Sequence, residues 1–265
     1  MRRAALALCL VLLLTACDSS EEAAPTVPPT SAPASAAAAP SEEPWQTLDG
    51  PLARCGPQPA AAGDLDLRYR VLHDPAVGRI PAVSAGAGGR TVAVLLHQTD
   101  GNGLCGWLEY VPGLLGHGVA VLAVDLCQYG AARCHRGVPA TEAVALAVAH
   151  ARTTMRAVRV VVVGASMGGS VALMSAAELP GIDAAVDLSG PVDWPGMETV
   201  RDGRALDVPV LVAMADDEGT DQVAGARSIV AHAPDGSRFA PAGTGHGYDL
   251  LEPLGADVRA WVVGD

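Results

Sequence analysis

Short runs of consecutive apolar residues alternate with segments of helical period over most of the chain. Residues 64–72 and 78–86 predict two leading strands, and residues 91–97 predict a third, more deeply buried one. Residues 107–118 predict a helix ending at Gly116 or Gly118, residues 119–126 another buried strand, and residues 139–155 an amphipathic helix with Thr141 as its cap. The pattern continues as a strand at 158–164, a helix at 169–179, strands at 184–190 and 208–215, and a helix at 221–233. A strand at 237–243 and a terminal helix at 255–265 complete it. Strands that read as unbroken apolar runs between helices are covered on both faces, so the pattern predicts an α/β three-layer sandwich around a mainly parallel sheet. In such sheets reactive side chains gather in the loops at the carboxyl ends of the strands.

The N-terminus breaks this alternation. Arg2 and Arg3 precede an apolar run from Ala4 to Ala16 that is too short to span a bilayer comfortably but has the build of an export signal. It ends in Leu14-Thr15-Ala16-Cys17, which resembles the lipobox of bacterial lipoproteins, in which the Cys thiol is lipidated and becomes the mature N-terminus. The resemblance implies a signal peptide over 1–16, lipidation of Cys17, and a protein anchored to the outer side of the cell membrane. Residues 18–44 are Ala-, Pro- and Ser-rich with almost no large apolar side chain, so they read as a disordered tether. Residues 45–265 are then one domain, and half of the whole chain's residues are hydrophobic, enough for one core.

Charge and cysteine content narrow the function classes. Formal charge is −12, from 17 basic and 29 acidic residues, and loss of Arg2 and Arg3 with the signal segment would leave 15 against 29, or −14. Such a surface repels nucleic acid, whose binding rests on phosphate neutralisation. Four cysteines lie beyond the tether, Cys55, Cys105, Cys127 and Cys134, and an even number in an exported chain suggests disulfides. Cys127 and Cys134 are nearest in sequence, leaving Cys55 with Cys105, but the sequence allows three connectivities and also reduced, buried thiols. The spacing of Cys and His matches no zinc pattern, so no metal is expected.

The chemistry concentrates at Gly164-Ala165-Ser166-Met167-Gly168, where a buried strand turns abruptly into a helix. A G-x-S-x-G turn of this kind lifts a serine above the sheet edge in strained backbone that only small neighbours permit, and it aims the next N–H, here that of Met167, at a developing oxyanion. The bland alternative is a small residue that lets helix pack on sheet. A serine nucleophile needs a base held in one tautomer by an acid. Among seven histidines His246 is the best placed, in the glycine-rich loop after the last strand; His73, His117, His135, His150 and His232 read as turn or helix-end residues. His97 reads as a structural residue of its turn. Between serine and histidine, Asp216, Asp217 and Glu218 follow the strand at 208–215, and Asp187 ends the strand before it.

The order Ser166, an acid at 216–218, then His246, on alternating strands and helices, resembles the α/β-hydrolase superfamily over residues 64–265. That resemblance implies an eight-stranded-type sheet and a Ser-His-acid triad working without a cofactor. In relatives the acid lies three positions after a glycine that closes the strand. Ala215 holds that place here, so the count gives Glu218, whereas a loop one residue shorter and the commoner acid give Asp217. The superfamily usually has His-Gly after its third strand; here His97-Gln98-Thr99 stands there, and Gln98 or Thr99 would supply the second oxyanion N–H. Gln98 would narrow the acyl pocket or hydrogen-bond the oxyanion itself. The dienelactone hydrolases share the minimal architecture but carry Cys where Ser166 stands.

The 18 residues of segment 190–207 leave no room for a multi-helix lid, which suits small or extended carboxylic esters in an open site. Trp107 and Trp194 are candidates either for pocket walls or for ordinary packing. The expectation is a lipid-anchored, carboxylesterase-like serine hydrolase acting on a small-molecule ester. Amidase or peptidase action with the same residues, or a tethered binding module that kept the fold without turnover, are the competing classes.

Overall fold

The computed structural model describes residues 45–59, 65–87, 90–100, 102–201 and 205–264, so the signal segment, Cys17 and the tether lie outside the described residues. Strands β1 (Trp45–Thr47) and β2 (Pro57–Pro59) pair antiparallel as a separate ribbon. The main sheet is built from β3 (Arg68–Asp74), β4 (Gly78–Ala85), β5 (Thr91–Leu96), β6 (Ala120–Val124), the two-residue β7 (Arg133–Cys134), β8 (Arg159–Ala165), β9 (Ala184–Leu188), β10 (Val210–Ala215) and β11 (Arg238–Ala242). Its order is β11-β10-β9-β8-β5-β6-β4-β3, with β7 paired to β4. All pairs from β6 to β11 along that path are parallel, and β3, β4 and β7 form an antiparallel edge.

Alternation along the central strands divides two cores. Val92, Val94 and Leu96 of β5 with Val160 and Val162 of β8 face α2 (Ala140–Thr153), α3 (Met167–Glu178) and α4 (Thr220–His232). Ala93 and Leu95 with Val161 and Val163 face the opposite side, against α1 (Val111–Leu115) and α5 (Leu251–Val263). These are the three layers and the mainly parallel sheet expected from the apolar runs.

Several boundaries differ for local reasons. Instead of one helix over 107–118 there is a 3-10 turn at Gly103–Trp107, then the five-residue α1 with Pro112 in its first turn, where the missing N–H costs nothing. The terminal helix begins at Leu251 rather than 255, with Pro253 likewise in its first turn. The first sheet strand starts at Arg68 rather than 64, and α3 begins at Met167 rather than 169. β1, β2 and β7 are too short to leave a periodic trace in the sequence.

Two disulfides, Cys55–Cys105 and Cys127–Cys134, realise one of the three connectivities. The first ties the 3-10 turn Gly50–Cys55 to the turn at Gly103–Trp107. Beside it the fully buried carboxylate of Asp125 accepts two bonds from Arg54 (2.8 and 3.0 Å) and one each from the N–H groups of Leu104 and Ala131 (2.8 Å each). Three donor groups making four bonds to one carboxylate satisfy the buried charge and fix the N-terminal arm beside the loop that follows β5. In the linker between β9 and β10, the described residues contain only one short 3-10 turn, Met197–Thr199.

Candidate active site

Ser166 stands between β8 and α3 with φ 50° and ψ −122°, a left-handed conformation rarely adopted by a residue with a side chain. The glycines around it explain how the turn closes. A Cβ on Gly164 would lie 1.9 Å from the carbonyl oxygen of Gly168, and one on Gly168 would lie 2.3 Å from that of Leu96 on β5. Helix α3 therefore seats directly on the ends of β8 and β5. The Ser166 N–H donates to Leu188 O of β9 (2.7 Å), which ties the strained residue to its neighbouring strand.

His246 arrives from the loop after β11, between Gly245 (φ 108°) and Gly247 (φ 58°), and its own N–H donates to Asp249 Oδ2 (3.3 Å). Its Nε2 lies 2.7 Å from Ser166 Oγ, and its Nδ1 lies 2.5 Å from Glu218 Oε1. A carboxylate only accepts, so Nδ1 carries the proton toward Glu218 and Nε2 accepts from the serine hydroxyl. The three side chains come from the ends of three different strands, β8, β10 and β11, at one edge of the sheet.

The backbone geometry at Asp216 to Glu218 decides which acid faces the histidine. These residues form a 3-10 turn directly after β10, which spaces successive side chains about 120° apart. Glu218 turns inward, its side chain 18% exposed, and Asp217 is exposed with no bond to His246. Of the two acids the sequence leaves open, Glu218, the residue reached by counting from Ala215, is the one that meets His246. Asp187 does not reach His246 either: it is fully buried in β9, where Oδ1 accepts the Gly190 N–H (2.6 Å) and Oδ2 has no partner. Burial pushes its carboxyl up to about 7, against the lowering effect of the Gly190 N–H and with a further push from the Glu218 charge.

Met167 is the first residue of α3, so its N–H has no intrahelical acceptor and lies at the helix's positive end. In the loop after β5, the Gln98 side chain turns to the histidine loop. Its Oε1 lies over Gly247, where a Cβ would come within 2.2 Å, and 3.5 Å from the Tyr248 N–H, so it bridges to the histidine loop. Thr99 is exposed. His97 is buried and neutral: Nδ1–H donates to Gln98 O (2.7 Å) while Nε2 accepts from Leu126 N–H (2.9 Å), and burial lowers its pKa. His117 and His232 bond the carbonyls of Gly113 and Ser228 at helix ends. Trp107 is buried in ring contact with Tyr110 and Tyr248, and Trp194 packs half-buried on the α2–α3 core. Among the described residues, no cluster of His, Cys, Asp or Glu has metal-site geometry.

Two features lay outside the reach of sequence reasoning. The Gln98–Tyr248 bridge joins residues 150 positions apart and no local motif marks it. The Arg54–Asp125 pair had one faint trace, an acid directly after a buried strand.

No protein-family profile and no curated protein matches this sequence. Solved structures do match in shape. An esterase from Pyrococcus furiosus superposes with a TM-score of 0.64 at 15% identity, over 82% of this chain and 94% of its own. A dienelactone hydrolase from Anabaena variabilis gives 0.60 at 16% identity, over 76% and 96%. A carboxylesterase from Bacillus subtilis gives 0.60 at 13% identity, over 77% and 94%. Together with the strand order, the parallel register and the helices on both faces, these matches show that the chain has the α/β-hydrolase fold.

Proposed function

We propose that the protein is a serine hydrolase that cleaves small or extended carboxylic esters through an acyl-enzyme. The observation that carries this reading is the continuous relay Ser166 Oγ–His246 Nε2, His246 Nδ1–Glu218 Oε1 at 2.7 and 2.5 Å, assembled at the strand ends around a strained serine. His246 takes the Ser166 proton as Oγ attacks the ester carbonyl, and Glu218 holds the imidazole in the required tautomer and offsets its charge. The Met167 N–H and that of Gln98 or Thr99 receive the oxyanion. His246 then protonates the leaving alcohol, and water repeats the sequence to release the acid and restore Ser166. Gln98 contributes through its main chain, because its side chain is engaged with the histidine loop.

The short linker between β9 and β10, with one three-residue 3-10 turn among its described residues, supports small-molecule esters over lipid aggregates. We further propose export and lipid anchoring through Cys17 to the outer side of the cell membrane, with the Ala/Pro/Ser-rich segment as spacer. Two disulfides in the folded body support an oxidising compartment. The test is intact-mass labelling of the folded domain with a fluorophosphonate. One adduct, absent from Ser166→Ala and His246→Ala, is the expected result. An unlabelled but folded wild type would move the reading to a tethered binding protein.

A further inference from the structure

His246 stands in a loop that needs support from outside. Gly245 (φ 108°) and Gly247 (φ 58°) flank it in positive-φ backbone, which permits the turn but costs the most entropy to freeze. One side of the loop has its own anchors: the His246 N–H donates to Asp249 Oδ2 (3.3 Å), and Nδ1 meets Glu218. The other side, Gly247 and Tyr248, leans on a residue from the loop after β5, Gln98.

Gln98 and Tyr248 hold each other reciprocally. Gln98 Oε1 faces the Tyr248 N–H at 3.5 Å, a long contact, and that donor fixes which end of the carboxamide points to it. In the other direction the Gln98 N–H acts on the Tyr248 phenol. Burial pushes that phenol up, the Asp100 charge adds to the push, and the Gln98 N–H works against both without a hydrogen bond forming. Oε1 also fills the space over Gly247, where a Cβ would come within 2.2 Å of it and 3.6 Å from Ala165 Cβ. The carboxamide therefore sits against the neighbour of His246, on the side where that neighbour approaches the residue before Ser166.

Both ends of this contact are rigid. The Gln98 carbonyl accepts His97 Nδ1–H (2.7 Å), and His97 is fully buried with Nε2 on the Leu126 N–H (2.9 Å). Tyr248 is only 8% exposed, its ring seated over Gly106, in edge contact with Trp107 (centroids 5.0 Å apart) and stacked on Tyr110 (5.8 Å). A contact this long adds little to stability. Its place gives it leverage, because a misplacement of about 1 Å in a reacting group can cost about 10² in rate.

We infer that Gln98 is a positioning residue: its carboxamide clamps the Gly247–Tyr248 side of the histidine loop and so holds His246 Nε2 on Ser166. The inference deepens the proposed hydrolase reading and rests on it for the effect on rate, but the clamp itself can be measured without turnover.

Kinetics on p-nitrophenyl butyrate, with the rate of fluorophosphonate labelling in parallel, tests it. Gln98→Met keeps the length and loses the acceptor, so kcat and labelling should fall about tenfold or more while KM stays within about threefold. Gln98→Glu restores the acceptor and should recover most of that loss. A carboxamide that instead touched the oxyanion through Nε2 would make Gln98→Glu worse than Gln98→Met. Gly247→Ala places a methyl group where Oε1 lies and should expel the carboxamide. Its cost in kcat/KM should therefore be smaller in the Gln98→Ala background than in the wild type, by about fivefold or more. The backbone strain of a side chain at φ 58° is present in both backgrounds and cancels. Wild-type kcat in Gln98→Met, a loss confined to KM, no recovery in Gln98→Glu, or additive costs of Gln98→Ala and Gly247→Ala overturn the clamp and leave the hydrolase reading intact. If the folded wild type neither cleaves the ester nor takes the fluorophosphonate, the hydrolase reading fails and amide hydrogen exchange decides the clamp. Faster exchange of segment 244–250 in Gln98→Met, with the rest of the domain unchanged, supports it, and unchanged exchange there overturns it.

Discussion

Replacing Asp187 with Asn should change how stability depends on pH more than it changes stability at any one pH. Asp187 sits fully buried in β9, opposite Gly164 of the serine turn, with one oxygen on the Gly190 N–H and the other unpartnered. Desolvation raises its carboxyl from 3.8 to about 7, so in the window between these values the folded protein holds a proton that the unfolded chain has released. Stability therefore falls as pH rises through that window, and above pH 7 the whole penalty is present. The interval of roughly 3 units corresponds to an upper bound of about 4 kcal/mol. Asn keeps the shape and the acceptor for Gly190 but does not titrate; its amide places unpartnered hydrogens where the open oxygen stood, a constant cost of about 1–3 kcal/mol. The assay is urea unfolding of both proteins at several pH values from 4.5 to 8.5, with disulfides intact. Other titrating groups cancel in the difference, so the wild type should lose about 2–4 kcal/mol relative to the variant across the series. Parallel stability curves would refute the claim that a buried carboxyl under the serine turn stays neutral in the native state.

Glu218→Gln should lower kcat by about 10³–10⁴ with the fold intact, because the imidazole loses its tautomer-fixing acceptor, whereas Asp217→Asn should leave kcat within about twofold; steady-state kinetics on a p-nitrophenyl ester checks both. Gly164→Ala puts a methyl group into the Gly168 carbonyl and should both destabilise by about 3 kcal/mol or more and cost at least ~10² in kcat, as read by thermal melts and kinetics. Removing Cys55–Cys105 should cost about 4 kcal/mol and removing Cys127–Cys134 about 2.5 kcal/mol, because the loops they close differ, with separations of 50 and 7 residues. Paired Cys→Ser variants in urea unfolding measure the two, and a reversed order would count against the loop-entropy account.

What could be read in advance divides along a physical line. The sheet was legible because its central strands are buried on both sides, and burial on both sides forces unbroken runs such as Val160 to Val163 that no loop would carry. The serine turn was legible because its geometry is locally determined: a residue at φ 50° with a helix seated 1.9 Å from a missing Cβ demands glycine at fixed offsets, and fixed offsets survive in the sequence as a motif. The acid was not, because the choice between Asp217 and Glu218 depends on whether β10 runs on extended or closes into a 3-10 turn, and one residue of register reverses which side chain faces inward. The contact between Gln98 and the Tyr248 N–H was the least legible of all. It joins residues 150 positions apart, and neither residue sits in a local motif that would announce it. Chemistry that depends on backbone strain leaves a signature in neighbouring residues, whereas a contact that depends on the convergence of distant segments leaves none.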